Sequence, residues 1–521
     1  METFARSLTG LRKQPLIAPP LLRARQTVGA AATALTSGAA IGLLIGVTGS
    51  AVGILVVVVI AAAVAMLMVP QIATLAFLFL LYINAPAVLV NFHGLPFVVG
   101  AAIIGLLGIP LVAMILRRER FVFPPILMLV ILYIVVLALS SLVARHFDPA
   151  WATLLVHVQE GLIPVVLLVN FIRTPAMLRA AIWALLLAGL FMGGLSVHQE
   201  VTSSYDDSYG GFAQIVGRGF SPEGGELGER VLRPRLAGPI HEQNRYAQVM
   251  LVLVPLAIGI AISERRWALK LLASAAGFLS FSAVVLTFSR GAAIGLMGLV
   301  GAALALRLIR VRTAVPLIFL GLTALLLVAP DFTARIASLP ETTEALTEGR
   351  DATDPSILGR FTLNVAALHM FAEHPLLGVG AANFDLLSVD YANPLGLRHI
   401  SLPYRAHNLY FEIAAETGIL GLTTFAALMG YILSQLWRCR REAIRSAQND
   451  HAHVATGLLF GLLAYLITAV FLHMAYERYF WILVAVSGAA IYVIRTDLAN
   501  RLLHVGEGGL RDGKAEDRFL G

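Results

Sequence analysis

His407 lies in the stretch Arg405-Ala406-His407-Asn408-Leu409-Tyr410. A neutral imidazole near pH 7 takes a proton from a hydroxyl nucleophile. The plainer alternative is a histidine that only marks a helix entry at headgroup level. Glu412 and Glu416 follow at i, i+4 and share one helix face. They either hold a nearby arginine or complement the positive start of that helix. Arg290 follows Thr287-Phe288-Ser289 and precedes Gly291, in a tight turn between two apolar runs. Arg360 and Arg405 stand further along, and Arg218, Arg230, Arg233, Arg235 and Arg245 cluster upstream. Arginine stays charged and grips phosphate in a bidentate fork. For Arg218, Arg230 and Arg398 a solvated loop charge is the competing reading, and it is weakest for Arg290.

The elements that must hold these residues follow from composition. The chain has 521 residues, 58% hydrophobic and 13% charged, with mean hydropathy +0.82. Soluble domains carry roughly 25% charged residues and about 45–50% apolar ones. So much apolar surface exceeds what one soluble core hides. A polytopic membrane protein is the remaining class, and soluble enzymes, disulfide scaffolds and disordered tails are excluded. The excess of 38 Lys and Arg over 31 Asp and Glu, +7, sits mostly in short turns and reads as a topology signal, not a nucleic-acid surface. The single cysteine, Cys439, rules out an intramolecular disulfide. The basic start, with Arg6, Arg12, Lys13, Arg23 and Arg25, leads into a retained span instead of a removed signal peptide.

The pattern predicts an all-α, polytopic transmembrane bundle of about fourteen spans (roughly 12–14) of about 20 residues each. They centre in 29–47, 51–69, 72–90, 97–116, 123–143, 153–172, 177–196, 245–262, 269–287, 291–308, 314–330, 414–436, 455–473 and 479–494. With a cytoplasmic N-terminus, the basic turns at Arg117 to Arg120, Arg173 to Arg179, Arg265 to Lys270, Arg307 to Arg312 and Arg438 to Arg445 fall on the inner side. The tail does too, so both termini are expected inside. The resulting organisation is a cytoplasmic segment 1–27, transmembrane helices 28–196 and an external loop 197–243. Helices 244–330 carry the Ser-Arg-Gly turn, a second external loop covers 331–405, helices resume over 406–495, and 496–521 form a cytoplasmic tail. The second loop is expected to hold a short helix near 357–372. The bilayer is the first partner this implies.

Four stretches in order resemble the O-antigen ligase and polymerase superfamily. Leu286-Thr287-Phe288-Ser289-Arg290-Gly291 is similar to its Ser-Arg-Gly signature. His407-Asn408 with Glu416, Gly418 and Gly421 resembles its His-Asn and Glu-x-Gly-x-x-Gly block. Gly359-Arg360, then His374-Pro375-Leu376-Leu377-Gly378-Val379-Gly380 and Asn383-Phe384, resemble its arginine, proline and Gly-x-Gly pattern. Arg235, Gly238 and Asn244 match an Arg-x-x-Gly and Asn block less closely. The resemblance covers about residues 235–430 and does not separate the superfamily's members.

It implies a GT-C-like membrane glycosyltransferase of the bacterial inner membrane, active on the periplasmic side. The donor would be an undecaprenyl-pyrophosphate-linked glycan. The acceptor would be a second lipid-linked repeat, for a polymerase, or lipid A-core, for a ligase. Polymerase is the leading expectation, ligase the alternative and a protein O-oligosaccharyltransferase the third. By the match, Arg290 and Arg360 bind the pyrophosphate and His407 is the general base. Arg235 and Arg405 are secondary phosphate or glycan contacts, Glu412 orients an arginine, and Tyr404 and Tyr410 stack on sugars or belong to an aromatic belt. Direct attack implies inversion. No metal or other cofactor is implied; the close external acidic pairs, Asp206-Asp207 and Asp351 with Asp354, lie in polar loop sequence. A flippase and a chain-length regulator are the expected protein partners, and nucleic acid is not a partner. Two intramembrane features stand apart. Glu160 is expected to pair with an arginine, and His473, Glu477 and Arg478 form an external turn that either rims the acceptor channel or is solvated. A transporter, the competing class, would show inverted repeats, and the sequence has none.

Overall fold

The computed structural model describes residues 61–218, 234–312, 315, 316, 319, 355–397, 399–473 and 477–516. The chain divides into two units, Met1–Ile72 and Ala73–Gly521. Of the first, residues 61–72 are described and 61–68 are helical. The rest of the description concerns the second.

The helices, in order, are α1 (Pro70–Tyr82), α2 (Ala85–Phe92), α3 (Phe97–Leu116), α4 (Pro125–Leu142), α5 (Phe147–Phe171) and α6 (Pro175–Thr202). Then come α7 (Gln243–Ser263), α8 (Trp267–Leu286), α9 (Arg290–Ala305) and, in the second long loop, α10 (Pro355–Glu373) and α11 (Phe384–Ala392). The bundle ends with α12 (Leu409–Arg445), α13 (Asn449–Thr468) and α14 (Glu477–Glu516). Among the described residues nine helices are long and apolar enough to cross a membrane, ten if α1 and α2 count as one broken span. The protein is therefore an all-α polytopic membrane bundle. The span read at 29–47, nearly all of 314–330 and the first half of 51–69 lie outside the described residues.

Several elements differ from the expectations. The run at 72–90 is bent by 63° between α1 and α2, because Asn84 takes a left-handed conformation (φ 60°) and Pro86 follows at the start of α2. The run at 291–308 stops at Ala305 after 16 residues, short of the usual span length. The first long loop is not wholly irregular: β1 (Gln214–Arg218) and β2 (Pro234–Gly238) pair antiparallel. The helix expected near 357–372 is α10, which starts two residues earlier, at Pro355, and ends at Glu373. α14 continues through much of the expected tail, to Glu516.

The centre of the bundle is α7, with 78% of its apolar window buried against 28% for α3 at the edge. α13 lies antiparallel on α7 at very short range. A Cβ on Gly457 would come within 3.0 Å of the Pro255 carbonyl, and one on Gly461 within 3.2 Å of that of Val252. Membrane helices gain no hydrophobic drive from each other, so small residues that let backbones close are what hold such a pair. The pairing brings the start of α7 beside the end of α13. At the other end of α7, Arg179 reaches Ser263 (3.1 Å) and Glu264 (3.3 Å). By helix connectivity the basic turns after α7, α9 and α12 share that end, opposite the residues described next. The second long loop has its own small core, in which Leu363, Met370, Val379, Phe384 and Ala406 are buried.

Candidate active site

Arg245 opens α7 and is only 3% exposed. A buried guanidinium must be paired to be tolerated. Its Nη1 donates to Gln248 Oε1 (2.9 Å) and its Nη2 to the main-chain carbonyl of His473. Gln248 in turn donates to the Tyr465 carbonyl (3.0 Å) and Thr468 Oγ1 (2.9 Å) on α13. Glu242 caps α7, accepting from the backbone of Asn244 and Arg245. The close crossing of α7 and α13 is thereby sealed at this end by a polar network that fixes His473.

His407 meets the same place from α12. Ala406 is anchored in the small core of the second loop. Asn408 caps α12, its Oδ1 accepting from Tyr410 (3.1 Å) and Phe411 (3.3 Å) backbone N–H groups. Between these two anchors His407 is held at φ 52°, a left-handed conformation that non-glycine residues seldom adopt and that concentrates at functional sites. Its ring stands edge-on to that of His473, 5.5 Å between centroids. Burial first, then the charges of Arg360 and Arg245, pull the His407 pKa from 6.5 down to about 4. Burial, Arg245, Arg405 and His407 pull that of His473 down to about 2. Both imidazoles are neutral at pH 7. Arg360, on α10, is thus brought into electrostatic reach of His407.

Arg290 is presented by the turn between α8 and α9. Phe288 is left-handed there (φ 52°), and Ser289 caps α9 by accepting from Ala292 N–H at 3.4 Å. Arg235 of β2 clamps the turn, donating to the carbonyls of Thr287 (3.0 Å) and Phe288 (3.1 Å). The next residue, Gly291, lies against Phe471; a Cβ there would approach the Phe471 Cβ to 3.3 Å. The Ser-Arg-Gly turn therefore packs on the segment that ends in His473.

The glycine motifs form one joint. α12 is broken at Gly418 (φ 65°, ψ −162°), and residues 375–380 are stitched across the break by main-chain bonds. Val379 N–H donates to the Ala415 carbonyl (2.9 Å), Gly380 N–H to that of Glu416 (3.0 Å) and Ile419 N–H to that of Pro375 (2.8 Å). A Cβ on Gly418 would fall 2.3 Å from the Leu376 carbonyl carbon, and one on Gly378 the same distance from that of Glu416. Only glycine fits either place. The Glu416 side chain accepts from Phe384 N–H (3.3 Å) at the start of α11. Asn383 and the backbone of His146 exchange two hydrogen bonds, 2.7 and 3.0 Å. These residues position the loop that bears Arg360.

The sequence-predicted residues thus separate into groups. His407 and Arg360 come together, and the Arg290 turn sits on the adjoining segment. Arg405 pairs with the buried Glu412 (3.3 Å), whose second carboxylate oxygen has no hydrogen-bond partner among the described residues. Arg235 bonds backbone carbonyls of the turn. Tyr410 uses its hydroxyl on the Leu466 carbonyl (2.7 Å), a packing bond, whereas Tyr404 remains 49% exposed. Arg245 and His473 were not assigned to the site in the sequence. The sequence signals were Arg245 as one cation of the upstream cluster and His473 as one residue of an external turn that either rims the acceptor channel or is solvated. Glu160 pairs with Arg478 (3.0 Å), which also donates to Asn84 Oδ1 (2.9 Å). Arg230, Arg233, Arg398, Asp351, Asp354 and the side chain of Arg218 lie outside the described residues. Among the described residues no group of three or more His, Cys, Asp or Glu could hold a metal ion.

Apolar helices that carry, at one end, arginines around two buried imidazoles define a polytopic membrane protein with a polar, cationic cluster at one end of its bundle. The family model described as O-antigen ligase matches residues 275–426, from within α8 to within α12. That match covers less than a third of the chain; it supports the O-antigen ligase and polymerase superfamily and, in general terms, a membrane enzyme of glycosyltransferase type acting on glycans. The matched segment contains Arg290, Arg360 and His407; Arg235, Arg245 and His473 lie outside it. No curated protein matches the chain.

Proposed function

We propose that the protein transfers a glycan from undecaprenyl pyrophosphate to an acceptor sugar hydroxyl, at the periplasmic face of a bacterial inner membrane, and that it does so as a polysaccharide polymerase. The observation that carries this reading is the convergence of cations on a neutral imidazole: Arg360 and Arg245 act on His407, and the Arg290 turn packs beside His473. As the glycosidic bond breaks, charge rises on the diphosphate. Arginines placed beforehand stabilise it without reorganisation, so the transfer is taken to run without a metal. Arg290 and Arg360 bind the diphosphate, and His407 takes the acceptor proton. A single displacement assisted by a base inverts the anomeric carbon. Arg235 supports the Arg290 turn, and Glu412 orients Arg405. The two long loops give space for two glycan-bearing lipids, and a flippase and a chain-length regulator are the fitting partners.

Ligation to lipid A-core is the second reading, favoured by the description of the matching family model. The acceptor separates the two. Purified protein given only lipid-linked repeat units lengthens them if it is a polymerase, whereas a ligase stays silent until lipid A-core is added. In either assay His407→Ala is expected to lose about 10²–10⁴-fold in rate. Full turnover by that variant removes His407 from the mechanism.

A further inference from the structure

The transfer chemistry leaves His473 without a task. Its ring is fixed for reasons unconnected with its own nitrogens: Arg245 holds its main-chain carbonyl, and Gly291 packs against nearby Phe471. Yet its Nδ1 is fully buried and has no hydrogen-bonding partner among the described residues. Buried polar atoms are nearly always satisfied, so an orphan beside a reaction centre calls for a partner that arrives with the substrate. Arg245 from α7, Arg405 ahead of α12 and His407 surround the ring and disfavour its cationic form. A neutral imidazole is a poor phosphate anchor where arginines are at hand. It suits a hydroxyl, which both donates and accepts.

We propose that His473 determines acceptor specificity by hydrogen-bonding the sugar hydroxyl next to the one that His407 deprotonates, so that the two imidazoles together select which oxygen attacks. Rings 5.5 Å apart and edge-on can each reach one of two neighbouring hydroxyls on a pyranose. The inference rests on the transfer reading of the site. In that step the acceptor O–H bond breaks and its proton passes to His407. The freed oxygen bonds the anomeric carbon, and the bond to the diphosphate oxygen breaks with its electron pair leaving on the diphosphate. His473 makes and breaks no covalent bond; it holds the sugar in one orientation.

The test uses the full-length protein in nanodiscs. The donor is the diphosphate-linked glycan extracted from membranes of the source organism, and the acceptor is the soluble glycan released from the same lipid. Removing one neutral hydrogen bond in His473→Ala is expected to raise the acceptor KM about tenfold, with the donor KM unchanged. Methylation analysis of the product is expected to show a second linkage, at the neighbouring position. His473→Asn keeps a donor and an acceptor and retains mostly the single linkage; it also serves as the readout if the alanine variant does not fold. A single wild-type linkage with an unchanged acceptor KM overturns the proposal, and so does a rise confined to the donor KM. Failure of the underlying reading looks different. His407→Ala would then turn over normally, whereas an inactive His407→Ala beside indifferent His473 variants refutes only the role of His473.

Discussion

The pH dependence of the reaction follows from the surroundings of His407. Its pKa falls from 6.5 to about 4 through burial and the nearby Arg360 and Arg245. At 1.36 kcal/mol for each tenfold change, the fall is about 3 kcal/mol in favour of the neutral ring. The acidic limb of kcat/KM, which reports the free enzyme, is therefore expected near pH 4 and not near 6.5. Taking away the Arg360 charge relieves part of that bias, so Arg360→Gln moves the limb upward. Bound diphosphate neutralises the same cation, so the limb of kcat, which reports the loaded enzyme, is expected above that of kcat/KM. Stability has the same sign. A histidine with a depressed folded pKa binds fewer protons folded than unfolded, so its contribution is complete above pH 6.5 and is lost as the pH falls toward 4. The assay is initial rate on a polyprenyl-diphosphate glycan between pH 3.5 and 8, for wild type and Arg360→Gln. An acidic limb near 6.5 in both proteins refutes the reasoning, because it would mean that Arg360 exerts no field on the base.

Three further outcomes rest on single contacts. Gly418→Ala forces a Cβ against the Leu376 backbone at a positive φ, and a loss of about 1–3 kcal/mol or more in unfolding free energy is expected by denaturant titration in detergent. Arg235→Ala removes two bonds from a charged donor, worth roughly 1.5–3 kcal/mol each. Its turnover should fall while bilayer insertion and helix content by circular dichroism stay as in wild type; unchanged turnover would separate the hairpin from the Arg290 turn. Arg478→Met leaves the half-buried Glu160 without its cation, at a cost below the roughly 3–5 kcal/mol of a fully buried pair. The double variant Glu160→Leu with Arg478→Met should recover most of it, and additive losses in a double-mutant cycle would show that the pair is not coupled.

The membrane bundle was legible because apolar runs of span length leave few other folds open. The long runs at 97–116, 177–196 and 245–262 are helices α3, α6 and α7. The break at Asn84 was not legible, since one left-handed residue inside an apolar run leaves hydropathy unchanged. The β-hairpin was hidden for a different reason. It is two five-residue strands in a polar loop, and its role depends on Arg235 finding the carbonyls of Thr287 and Phe288, far away in sequence. His407, Arg290 and Arg360 could be read from residue type and motif. Arg245 and His473 were visible only as one cation of a cluster and one residue of an external turn; their link, a carbonyl held by a guanidinium across the α7 and α13 crossing, was not. The glycines of the motifs were visible as letters. That they form one joint required the backbone distances.

That joint is sewn with main-chain atoms, and this has a consequence for variation. Amide-to-carbonyl stitches do not depend on which side chains hang beside them, so the exposed Leu376 and the half-buried Leu377 are open to exchange, and the buried Val379 to other apolar residues. Gly378, Gly380 and Gly418 are not. A library randomised over this seam should therefore return diverse letters at Leu376 and Leu377, apolar ones at Val379 and glycine alone at the other three, which would allow the surface beside the site to be re-tailored without dismantling its frame.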